Sequence, residues 1–168
     1  MTEGNLKRRY IGTTDEDLIN TDCLKGDYPK CERVVASPLK RCIQTAEYIY
    51  PNVDIEICDK LKECDFGDFE NKSYEELKDN PCYQKWIDSN GTLPFPGGES
   101  REQFIRRSME GFDRMMSDIL KRSEKNTGIQ NDTDPQYLKS NCGTEIPVVA
   151  VVHGGTIMAV LSSLTGGE

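Results

Sequence analysis

Apolar residues run along this chain in two rhythms, and the switching between them predicts its elements. Arg33–Ser37, "RVVAS", is a short branched apolar run of the kind buried in a sheet, and it ends at "SPL", where a proline can open a helix. From Leu39 to Tyr50 the spacing places Leu39, Cys42, Ile43, Ala46 and Ile49 on one face, which predicts an amphipathic helix stopped by Pro51. Residues 54–61 alternate as a second strand does. Ser73-Tyr74-Glu75-Glu76 reads as a capping box opening a short helix, and Ser100 as the N-cap of the longest helix. The stripe of that helix is Phe104, Ile105, Met109, Phe112, Met115, Met116, Ile119 and Leu120. "IPVVAVV", residues 146–152, is a continuous apolar run that predicts a strand buried on both faces, followed by a helix from about Thr156. Residues 1–32 and 124–146 are polar and loop-like, the second stretch in the manner of a mobile loop.

Strands alternating with helices predict an α/β fold with a mostly parallel sheet, and the length suits one domain over residues 1–168. In such sheets ligands collect where strands end at their carboxyl side. Two strand ends carry polar groups there: "VVAS-PLKR" and "AVVHGG".

Charge narrows the partners. With 21 basic and 29 acidic residues the chain carries −8, which argues against nucleic acid as its main partner. A small anion needs only a local arginine and stays open. No run of about 18 apolar residues is present and the amino end has no apolar h-region, so the expected location is cytoplasmic, with no membrane partner. The seven cysteines show no C-x-x-C and no pairing with histidine, so they predict reduced thiols and no zinc site.

Three residues then stand out as chemistry. Arg41 sits one turn into a helix that follows a strand, where a guanidinium suits a phosphate or carboxylate, although a solvated helix arginine would have the same spacing. His153, the single histidine, lies at a strand terminus before Gly154-Gly155, where glycines permit close approach of a ligand. Glu63 follows a strand in a loop and would serve as a general acid if its site held a phosphate. "PGGES" is a glycine turn before a helix start, with Glu99 as a partner for the helix dipole.

Taken in order, these blocks resemble the histidine phosphatase (phosphoglycerate mutase-like) superfamily. "TEGNLKRRYIGTTDEDL" looks like the segment after that family's R-H-G motif, "SPLKRCIQTAEYIY" like its second-arginine motif and "LKECDFGDFENKSYEEL" like its acid loop; "PFPGGESREQFIRR" and "VVAVVHGGTIMAVL" look like its last two blocks. The resemblance implies a three-layer α/β/α sandwich and hydrolysis of a small phosphorylated substrate through a phosphohistidine, with no cofactor or metal. It makes Arg41 a phosphate clamp, Glu63 the proton donor and His153 the second histidine, bonded to the transferring phosphoryl group. It brings Asn5 and Gly154 to the phosphate, and Gly12 and Thr13 to the substrate side.

One departure dominates. The family's nucleophilic histidine belongs to R-H-G on the first, central strand, which would immediately precede Met1, so the 168 residues are expected to lack that strand and to be inactive and unstable alone. Its loss is expected to bare two neighbouring strand edges. The chain also ends at "LTGGE", where relatives continue. Glu63 is followed by Cys64 and Asp65, where mutases of the family place arginine, and Asp65 would repel a substrate carboxylate. A phosphomonoesterase is therefore expected over a mutase, nearest to the small bacterial alpha-ribazole phosphatase-like branch. The alternative from another class is an inactive relative that binds a phosphorylated ligand or a protein. A flavodoxin-like module lacks the Gly-rich phosphate loop it would need.

Overall fold

The computed structural model describes residues 1–127 and 147–166. Three parallel strands form its sheet: β1 (Arg33–Ala36), β2 (Ile55–Ile57) and β3 (Val148–Val151), in the spatial order β2-β1-β3. Val34 pairs with Ile55 on one side and with Val149 on the other, so β1 is the central strand and both neighbours run in its direction. Parallel neighbours require crossovers, and the helices supply them.

The branched residues of β1 point alternately to the two faces, as the pleat requires. Val34 and Ala36 pack with Ala46 of α2 (Lys40–Ile49) and with Tyr50, which caps its end, and Val34, Ala36 and Ala46 are wholly inaccessible. Val35 faces the other way, toward Met115 of α5 (Arg101–Thr127). On that side α5 packs on α6 (Gly154–Thr165), with Phe104 and Ala159 meeting Cys64 of the loop that follows β2. Helix, sheet and helix thus make the three layers. None of the described helices is long and apolar enough to cross a membrane.

Several elements depart from the pattern read along the chain. The second strand is only three residues, because the backbone turns into a short 3-10 segment at Asp59–Leu61. The polar amino end contains α1 (Glu3–Leu6), where Thr2 and Asn5 form a capping box. After the short helix α3 (Tyr74–Leu77), whose capping box from Ser73 and Glu76 is present, α4 (Pro81–Asp88) begins at Asn80, which caps it, with Pro81 in the first turn. That Asn-Pro pair is a helix-start signal in its own right. Ser100 caps α5 reciprocally with Gln103. Helix α5 continues to Thr127, and the remainder of the polar stretch expected as a mobile loop lies outside the described residues.

Strand β3 is the main correction. Its apolar run was expected to be buried on both faces, yet Ala150 is exposed and the three valines are half-buried. Among the described residues β3 pairs only with β1, so it is an edge strand. The direct β1–β3 pairing leaves no gap inside the sheet, so among the described residues the unpaired edges are its two outer ones, on β2 and β3. The open face continues onto α6, where Ile157, Met158, Leu161 and Leu164 are exposed.

These burial differences predict unequal tolerance within one sheet. Val34→Ala should cost about 2 kcal/mol of stability by loss of packed volume. Ala150→Ser should stay within about 0.5 kcal/mol, as an exposed position does. Urea unfolding midpoints of the two variants check this.

Candidate functional site

The two strand ends that the sequence marks lie side by side. Ser37 ends β1, the first turn of α2 carries Arg41 back over it, and β3 delivers His153 as the N-cap of α6. The loop after β2 brings Glu63 from the far side. Arg41, Glu63 and His153, together with Asn5 and Gly154, line a cavity of about 270 Å³. A wider cleft of about 560 Å³ lies at the opposite end of the strands, but there Arg33 is already paired with Glu56 and no strand terminus converges.

Arg41 is 9% exposed and its guanidinium has only neutral partners. Nη1 donates to the carbonyl of Thr14 at 2.8 Å, and Nη2 to the carbonyls of Gly12 at 2.8 Å and Ile11 at 3.3 Å. Nε donates to Nδ1 of His153 at 3.3 Å. Among the described residues no carboxylate pairs with it, so the cavity wall carries a buried positive charge that is solvated but not neutralised. Such a charge strongly favours an incoming anion.

The same bond defines His153. Arginine has no acceptor, so Nδ1 is unprotonated, and the proton of the neutral ring sits on Nε2, which donates to Ser37 Oγ at 2.7 Å. The thiol of Cys42 lies against the ring, 3.5 and 3.6 Å from its two nitrogens. Burial first, and then the charges of Arg41 and Arg107, push the imidazole down to about 3. Burial also pushes the Cys42 thiol up to about 11, so it is no nucleophile at neutral pH. Ser37 is a site residue that the sequence reading passed over, although it stands in the "SPL" block.

Glu63 accepts from Gly155 N at 3.2 Å and from Cys64 N at 2.9 Å. Gly155 leaves room for this arrangement, because a Cβ there would displace the Glu63 carboxylate. The loop around Glu63 is braced from behind by Arg107. That guanidinium donates to the carbonyls of Lys60 and Lys62 at 2.9 Å and Glu63 at 3.1 Å, and to both oxygens of Glu99 at 2.7 Å. Glu99 in turn accepts from Asp65 N at 3.0 Å, so it ties two loops together instead of serving a helix dipole. Asp65 itself accepts from Gly67 N and lines a different cleft, beside Gly97 and Arg106. It does not face the cavity, which removes the repulsion expected of it.

Asn5 lines the cavity, and its orientation is set locally. Its Oδ1 accepts from Thr2 N at 3.4 Å and Thr2 Oγ1 at 3.0 Å, which leaves the amide NH2 as its free end. Gly12 and Thr13 are placed one layer back. Their N–H groups, with those of Thr14 and Phe66 and the Thr14 hydroxyl, converge on the carboxylate of Glu70 at 2.7–3.4 Å. Burial alone would raise Glu70, but the bonds from Thr14, Thr13, Phe66 and Gly12 outweigh it and hold the carboxyl below its usual range.

The depressed His153 sets a pH dependence. The unfolded chain takes up a proton near pH 6.5 that the folded chain refuses down to about 3, so stability is complete above 6.5 and falls as pH drops through that window. Between pH 7.5 and 5 the loss should approach about 2 kcal/mol, and His153→Asn should remove that slope. Urea midpoints of both proteins at the two pH values measure it; equal slopes in wild type and variant contradict the assignment.

Comparison with known proteins bears on the family and the fold. The profile of the histidine phosphatase superfamily (branch 1) matches residues 1–127. The chain is 34% identical over 87 residues to a protein of Mycobacterium tuberculosis named as bifunctional, a match covering 49% of this chain and only 24% of that protein, so the chain spans about a quarter of the length of that relative. It is 28% identical to the uncharacterized phosphatase PhoE of Bacillus subtilis, over 99% of this chain and 74% of that one. In fold it is similar to the alpha-ribazole phosphatase of Shigella flexneri, with a TM-score of 0.68 at 20% identity, covering all of this chain and 77% of that one. The ordered motif blocks, the parallel sheet and the profile match converge on one assignment: the chain belongs to the histidine phosphatase superfamily, branch 1.

Proposed function

We propose that the cavity binds the phosphoryl group of a small phosphomonoester and that the parent polypeptide hydrolyses it through a phosphohistidine. The observation that carries this reading is Arg41, a buried guanidinium at a cavity wall with no anionic partner among the described residues. The free amide end of Asn5 and the glycine start of α6 add donors around the same space. A phosphoryl transition state spreads charge over its oxygens, and donors fixed before the substrate arrives stabilise it without reorganising. Glu63, on the opposite wall, is the group we assign to protonate the leaving oxygen.

Among the described residues Arg41 is the only lysine or arginine lining the cavity. A substrate with a second anionic group would find no second lysine or arginine among them, which in our reading favours a phosphatase over a mutase. The phosphatase names of relatives support the same class. The alpha-ribazole branch is our reading for the substrate type, by similarity of the acid loop and "PGGES" blocks.

The nucleophile is not His153, whose ring nitrogens are both engaged, and it is the only histidine in the 168 residues. In our reading it belongs to an R-H-G strand of the parent polypeptide. The same fact favours a second reading, an inactive relative that binds phosphorylated ligands. An extended polypeptide carrying the R-H-G segment separates the two, since only the enzyme gains turnover of p-nitrophenyl phosphate.

Two measurements on the 168-residue chain test the site. Inorganic phosphate should bind by calorimetry, and Arg41→Met should weaken it at least about tenfold. Turnover of p-nitrophenyl phosphate should not exceed that of His153→Ala; a clear excess sinks the assignment of the nucleophile to another segment.

A further inference from the structure

Segment 11–14 is held from both sides by groups far away in sequence. Its carbonyls, from Ile11, Gly12 and Thr14, accept three bonds from Arg41. Its N–H groups, from Gly12, Thr13 and Thr14, point the opposite way and meet the two oxygens of Glu70. Thr14 Oγ1 at 2.7 Å and Phe66 N at 3.1 Å complete a set of five donors on one carboxylate. Gly12 is buried in this sandwich, and a Cβ there would meet both the Cys64 carbonyl and the Glu70 carboxylate. The segment is therefore an adapter with an arginine on one edge and a carboxylate on the other.

We infer that Glu70 is a positioning residue for the phosphate site, fixing segment 11–14 so that its carbonyls hold the Arg41 guanidinium at the cavity wall. Glu70 is not among the residues that line the cavity. Its effect travels through one layer of backbone. A long arginine side chain has many rotamers, and the three carbonyls are what select one of them. Those carbonyls keep their directions only while the N–H edge of the same peptide units is pinned.

The charge state of Glu70 is essential to this role. Oε1 accepts from Thr13 and Phe66, and Oε2 from Gly12, Thr14 N and the Thr14 hydroxyl. A glutamine in its place would offer one oxygen and one NH2. Whichever way that amide is turned, at least two backbone donors would face another donor. The loop would have to shift to relieve this, and the Arg41 contacts would shift with it.

This inference rests on the reading that Arg41 receives the phosphoryl group, and a double-mutant cycle separates the two. Inorganic phosphate binding to the 168-residue chain is measured by calorimetry for wild type, Arg41→Lys, Glu70→Gln and the double variant. Each single change should weaken binding about tenfold or more. The double variant should bind no worse than the weaker single variant, because Glu70 acts only through Arg41. Losses that multiply, or an unchanged affinity in Glu70→Gln, overturn the positioning role while leaving the phosphate site in place. If Glu70→Gln does not fold, Thr14→Val, which removes one of the five donors, takes its place in the cycle, with the same outcomes deciding. A wild-type chain that binds no phosphate overturns the functional reading and this inference with it.

Discussion

A guanidinium buried without a counter-charge organises this molecule. Taking Arg41 out of water costs several kcal/mol unless its donors are met. Four neutral acceptors meet them: three backbone carbonyls and one imidazole nitrogen. Each acceptor is constrained in return. His153 must be neutral and must carry its proton on the far nitrogen, so it needs Ser37 at the end of β1. The carbonyls must come from a backbone segment whose N–H groups point away, so that segment needs an acceptor behind it. The positive charge remains uncancelled and faces a cavity, which is the state a receiver of anions requires before its ligand arrives.

The carboxylates around the site divide by what they face. Glu63 lies on the cavity and meets two backbone N–H groups, one of them at the start of α6. Glu70 and Glu99 stand behind it and serve loops. Glu70 gathers the donors of segment 11–14, and Glu99 joins Arg107 to Asp65 while Arg107 holds the carbonyls of residues 60, 62 and 63. Both loops that shape the cavity lack regular structure and cannot satisfy their own backbone groups. A charged side chain that bonds several such groups at once replaces the ladder a helix or strand would provide. Thr156, buried on α6, adds its hydroxyl to the carbonyls of Leu61 and Lys62, so the acid loop is tied to the helix that begins at the site.

The open side of the sheet has a different origin. Strand β3 bears the apolar composition of a fully buried strand, and α6 exposes Ile157, Met158, Leu161 and Leu164 beside it. Composition records which surfaces are suited to burial, and the described residues leave this one uncovered. The cavity opens near the same corner, since His153 and Gly154 connect β3 to α6.

Strand and helix alternation was legible in the residues alone, because burial imposes a period of two on strands and 3.6 on helices. The strand ends of an α/β sheet were likewise legible as the place for a site, and Arg41 and His153 were found there on that ground. Glu63 stood out as a carboxylate in the loop after a strand, and its role, like the places of Asn5 and Gly154, came from ordered similarity of blocks. What no local pattern holds is the partner of each polar group. His153 meets Ser37 across 116 positions, Arg41 meets Gly12 across 29, and Glu70 meets Thr13 across 57. Hydrogen bonds act over about 3 Å and depend on direction, so only the folded chain decides which donors reach which acceptors. For the same reason Asp65 and Glu99, similar carboxylates in neighbouring loops, could not be assigned by spacing, and neither could the edge position of β3. The sequence by itself determined which elements form and which residue types stand at the strand ends; the tertiary structure decided what each of those residues faces.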